Sequence, residues 1–112
     1  DRSFGEVLNK MDPTKNSFFI LNCDNGNYMQ CGGSTAECTI ELRLYDSPED
    51  YKHFVVGHAD GSNQAASIKM SEGVVNVQNC EVLNAAEAAE LFDLFFTGKK
   101  IPKKFTLREK DV

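Results

Sequence analysis

Cys38-Thr39-Ile40-Glu41-Leu42-Arg43-Leu44-Tyr45 is the stretch that decides the fold. Cys38, Ile40, Leu42 and Leu44 alternate with Thr39, Glu41 and Arg43. A period of two belongs to a strand with one buried face and one wet face. Such a strand needs antiparallel neighbours, and the flanking sequence supplies candidates. Upstream, Phe18 to Cys23 is bounded by Asp24-Asn25-Gly26-Asn27, where Asn-Gly suits a two-residue type I′ hairpin. That turn would set Cys23 opposite Tyr28 and Ile20 opposite Cys31, and send the two thiols to opposite faces. Gly32-Gly33-Ser34 closes the second strand. Downstream, Asp46-Ser47-Pro48-Glu49-Asp50 reads as a turn, Tyr51 to His58 as a strand and Gly57 to Gln64 as loop-like. Two short strands follow, Ala66 to Met70 and Val74 to Gln78, joined at Ser71-Glu72-Gly73.

Helical spacing brackets these strands. Ser3 and Glu6 form a capping-box pattern, and Phe4, Val7, Leu8 and Met11 recur on one stripe until Asp12-Pro13. The stronger helix lies between Asn84 and Thr97, with Asn84 as cap and Glu87 completing the box. Ala88, Leu91, Phe92, Phe95 and Phe96 make its apolar stripe, opposite Glu87, Glu90 and Asp93. Gly98 suits the C′ position, and Pro102 prevents continuation. The expected fold is therefore one α+β domain over residues 1–112. It has an antiparallel meander of about six strands, a short N-terminal helix and one long amphipathic C-terminal helix packed on the sheet. Residues 99–112 read as a solvated basic tail.

Charge and cysteines narrow the function classes. The net charge is −5, but residues 99–112 hold six bases against two acids, which leaves an acidic body. Such a body repels nucleic acid and steers basic partners toward itself. No apolar run is long enough for a membrane span. Cys23, Cys31, Cys38 and Cys80 show no CxxC pair and no zinc spacing, and read as reduced, buried thiols of a cytoplasmic protein. Thr97-Gly98-Lys99-Lys100 follows a helix, so its free groups are carbonyls and not a phosphate cradle. No cofactor or metal is expected.

From Ser67 to Glu109 the order of pieces is distinctive. Ile68 and Gly73-Val74-Val75-Asn76-Val77 precede the helix Ala85 to Phe96, Thr97-Gly98, Pro102, and a tail with Phe105, Leu107 and Glu109. This segment resembles the first-numbered family of immunity proteins from bacterial polymorphic-toxin and contact-dependent growth-inhibition systems. The resemblance implies a non-catalytic protein that binds and neutralises one cognate toxin domain, of nuclease or nucleic-acid deaminase type. An acidic inhibitor would meet such a basic domain favourably. The acidic turn and its tyrosines make the candidate contact surface: Tyr45, Asp46, Glu49, Asp50, Tyr51 and Asp60, with Glu41 and Arg43 as wet-face neighbours. Two alternatives stand beside it. One is a small-ligand or peptide-binding module with a pocket between sheet and helix. The other is a small hydrolase that uses His58 and Asp60.

Overall fold

A computed structural model describes residues 18–71 and 73–110. The expected helix around Phe4 to Met11 lies outside the described residues. Among the described residues there are seven strands: β1 (Phe18–Asn22), β2 (Tyr28–Gly33), β3 (Cys38–Ser47), β4 (Asp50–His58), β5 (Ala65–Met70), β6 (Gly73–Gln78) and β7 (Phe105–Glu109). A 3-10 turn (Asn79–Glu81) and helix α1 (Ala85–Phe96) lie between β6 and β7. The architecture is α+β and antiparallel, as the alternation implies.

The sheet differs from the expected single meander in two ways. It has five strands in the order β1-β2-β3-β4-β7, while β5 and β6 form a separate two-stranded ribbon. The helix is three turns long and does not close the chain. The stretch expected to be a solvated tail returns as β7, antiparallel to β4, with Val55 opposite Arg108 and His58 opposite Phe105. Phe105 explains the return, because its ring is buried at 6% exposure. Desolvating that ring outweighs the preference of the surrounding lysines for water.

The first hairpin is also shifted by one residue. Asn22 pairs with Tyr28 and Phe19 with Cys31, so Cys23 falls in the loop and is exposed. The Cys23 amide donates to the Asn27 carbonyl, and the Gly26 amide to the Cys23 carbonyl, with Gly26 at φ +99°. A longer loop with glycine in the left-handed region replaces the two-residue turn. The β3–β4 hairpin, by contrast, is tighter than expected. Ser47 pairs with Asp50 across Pro48-Glu49, and the register shifts between Tyr45 and Ser47. Proline holds φ near −65°, which excludes the primed turns, and Asp46 is the extra residue of a bulge.

The two faces of the sheet have different fates. On the inner face Met29, Cys31, Cys38, Ile40, Leu42, Val56 and Phe105 pack with Ala88, Leu91 and Phe92 of α1. Phe19 meets Phe92 edge-to-face, with centroids 5.0 Å apart. The Cys31 thiol is pushed well up by its hydrogen bond with Cys38, then by burial. The helix starts as its sequence requires: Asn84 accepts from the Glu87 amide at 2.9 Å and Glu87 returns the contact at 3.1 Å. It ends in a Schellman motif, with Lys99 N–H donating to Leu94 and Gly98 N–H to Phe95. Phe96 departs from the expected stripe and is 69% exposed.

On the outer face, β5 packs against β2, and the 3-10 turn packs against β4. Gly57 permits that close approach, since a Cβ there would sit 3.0 Å from Glu81 Cγ and 3.1 Å from the Cys80 carbonyl. Val55, Ile68 and Val77 are buried on this side, outside the helix-facing cluster. The ribbon covers only part of the outer face. The part toward the hairpin turns stays open.

Candidate functional site

The open part is built from cross-strand rows. Tyr28 stands opposite Arg43, Arg43 opposite His53, and Tyr45 opposite Tyr51. Side chains directly opposite share a face, so these five project together. Arg43 lies 3.9 Å from the centroid of the Tyr51 ring and 5.4 Å from that of Tyr28. Tyr45 and Tyr51 are tilted against each other at 5.2 Å. Burial works against the Arg43 charge, but the hydrogen bond with Tyr45 and the neighbouring tyrosines hold its pKa above the ordinary arginine value. Burial likewise raises the Tyr28 phenol, so it stays a neutral donor.

His53 fixes the next row. Arg43 Nε donates to His53 Nδ1 at 3.1 Å, and His53 Nε2 lies 2.5 Å from Glu41 Oε1. A guanidinium has no lone pair to offer, so Nδ1 must accept and Nε2 must carry the hydrogen. The ring is therefore held in one tautomer between a cation and a carboxylate. Glu41 also receives Gln30 Nε2 at 3.4 Å and faces Lys110 Nζ at 3.7 Å. His53 is only 3% exposed. This makes it a strut beneath Arg43 rather than a contact group.

Beyond the tyrosines the face ends in a cleft of about 720 Å³ between the two hairpin turns, lined by Asp24, Asn25, Gly26, Tyr45, Asp46 and Pro48. Asn27 Oδ1 accepts from the Tyr45 amide at 2.7 Å and ties the two turns together. Asp46 and Asp24 stand at the rim, and Ser47 Oγ donates to Asp50 at 3.2 Å.

The residues expected from sequence therefore divide. Glu41, Arg43, Tyr45 and Tyr51 converge on one face, and Asp46, Glu49 and Asp50 cluster at its edge. Asp60 lies beyond the opposite end of β4, about 30 Å away at strand spacing. Tyr28, Gln30, His53, Lys110 and Asp24 join the site without having been expected. The Tyr28 and Gln30 positions were obscured by the hairpin register, and Lys110 by the tail reading.

The histidine of the hydrolase alternative has another partner. His58 Nε2 pairs with Glu87 of the helix cap and stacks on Phe105 at 6.2 Å. Among the described residues no group of His, Cys, Asp and Glu is arranged to hold a metal ion. No described helix is long and apolar enough to cross a membrane.

A second concavity lies on the inner face. A groove of about 510 Å³ runs between the end of α1 and the sheet, lined by Leu42, Leu44, Phe95, Phe96, Ile101 and Leu107, with Lys99 and Lys100 beside it. Leu44, Phe96 and Leu107 are exposed there.

In comparisons with known proteins, no family model, no curated protein and no solved structure matches the chain.

Proposed function

We propose that this chain is a stoichiometric inhibitor that binds a basic toxin domain, of nuclease or nucleic-acid deaminase type, through the open outer face of its sheet. One observation carries the reading. Three tyrosines and an arginine are stacked beside a cleft rimmed by Asp24 and Asp46. Tyrosine and arginine dominate binding hot spots, because they contribute large contact area at low conformational-entropy cost. Acids around such a centre speed the approach of a cationic partner. The likeness of Ser67 to Glu109 to immunity proteins supports the same conclusion. Neutralisation on this reading needs no turnover, only occupancy.

Co-expression with a toxin domain, sought first in the gene immediately upstream, tests it. The pair should co-purify at one to one and restore growth, and Arg43→Ala should weaken the complex at least roughly tenfold. Growth rescue without a complex would oppose the proposal. The inner-face groove favours a second reading, a module that binds an apolar peptide. In that case Leu44→Asp would abolish binding and Arg43→Ala would leave it intact.

A further inference from the structure

Where the ribbon meets the sheet, the outer face holds a narrow crevice of about 60 Å³. Its lining includes Thr39 and, at the acidic end, Glu41, with Gln30 directly opposite Glu41 on β2. Phe18, Met70 and Val75 form apolar walls. Gly32, opposite Thr39, brings no side chain to fill it.

Thr39 is 4% exposed, and its Oγ1 has no hydrogen-bond partner among the described residues. A buried hydroxyl without a partner is destabilising, and native folds rarely retain one without a use. The neighbouring groups indicate the chemistry it awaits. Gln30 has committed its Nε2 to Glu41, which leaves an amide oxygen as acceptor. Among the described residues Glu41 is the only charged one lining the crevice. His53 and Gln30 reach its Oε1, and its Oε2 faces Lys110 Nζ at 3.7 Å, an ammonium that an incoming one would displace. Acceptors and one negative charge above apolar walls suit a cation on an aliphatic stem.

We propose that this crevice is a subsite for a lysine side chain of the protein partner, with the ammonium at Thr39 Oγ1, Gln30 and Glu41 and the stem along Phe18, Met70 and Val75. The inference rests on the protein-binding reading for its partner, and on the crevice alone for its chemistry. Donor geometry separates lysine from arginine: a compact ammonium turns its donors toward separate single acceptors, whereas a planar guanidinium fork suits a bidentate one. Phe18, at 52% exposure, is placed to cover the stem as it enters.

Small probes test the subsite without any toxin. The full chain, labelled with 15N, is titrated with Nα-acetyl-lysine N-methylamide and with its arginine and norleucine counterparts. The lysine probe should give saturable shifts at the amides of Gln30, Gly32, Thr39 and Glu41. The arginine probe should bind more weakly, and norleucine should not bind. Thr39→Val should weaken the lysine probe about tenfold, the worth of one hydrogen bond to a charged group, and Thr39→Ser should retain binding. Thr39→Val should also leave the melting midpoint unchanged or raised, because it removes an orphaned hydroxyl. Equal shifts from norleucine, undiminished lysine binding by Thr39→Val, or a lowered midpoint in that variant would each overturn the proposal. Shifts confined to the cleft at Tyr45 and Asp46 would overturn it too. A failure here removes the subsite and leaves the toxin-binding reading to its own test.

Discussion

Glu81 is 1% exposed, yet its carboxylate stays charged because Arg108 grips it from β7. Nε donates to one oxygen at 2.7 Å and Nη2 to the other at 2.9 Å, while the Gln78 amide adds a third bond at 2.9 Å. Burial alone would raise the pKa, but these bonds more than offset it and hold the carboxyl below its ordinary value of 4.5. A depressed folded-state pKa means that this stabilisation is complete above the unfolded value and is lost as pH falls through the lowered one. Denaturant midpoints measured against pH should therefore hold down to about pH 5 and then decline. Glu81→Gln should cost about 1–3 kcal/mol at neutral pH and flatten that acid limb; an unchanged limb would show that other groups set it. Phe92 offers a second contrast. It is fully buried, so Phe92→Ala should cost about 3–5 kcal/mol. Glu90→Ala removes only an exposed pair with Lys104 at 2.9 Å and should change stability by less than about 0.5 kcal/mol.

At the level of elements, the helix and the central strands were legible because their signals are local. The Asn84 and Glu87 box, the Gly98 stop and the alternation of Cys38 to Leu44 each require nothing from distant residues. The detachment of β5 and β6 was not legible, since alternation gives a strand its faces but not its neighbours. Only Gly57 hinted that something lies close over β4, and that needs the partner's position to be read. The tail failed for a similar reason, because five residues around one phenylalanine carry little periodicity. The site was half legible: the wet face of β3 predicts Glu41 and Arg43, whereas His53 and Tyr28 depend on register. The hairpin shift makes a chemical prediction. Cys23 in its exposed loop should alkylate in the native protein, and Cys31 and Cys38, both fully buried, should alkylate only after denaturation. Mass spectrometry without reductant should find all four thiols free, and a bridged Cys23–Cys31 pair would contradict the register.

Across the whole molecule, charge and shape point the same way. The chain carries −5 overall, and the bases of its last segment are partly spent on internal acids through Arg108 and Lys104. The hairpin turns keep Asp24, Asp46, Glu49 and Asp50 in solvent beside the stacked tyrosines. A cationic partner would be drawn to that end of the sheet before any contact forms. The most direct measurement is the association rate of the co-expressed toxin domain with the wild-type chain and with the folded triple variant Asp46→Lys, Glu49→Lys, Asp50→Lys, across a salt series. The triple variant should associate at least roughly tenfold more slowly at low salt, with a gap that closes as ionic strength rises. Equal rates at low salt would contradict this and move the partner to another face.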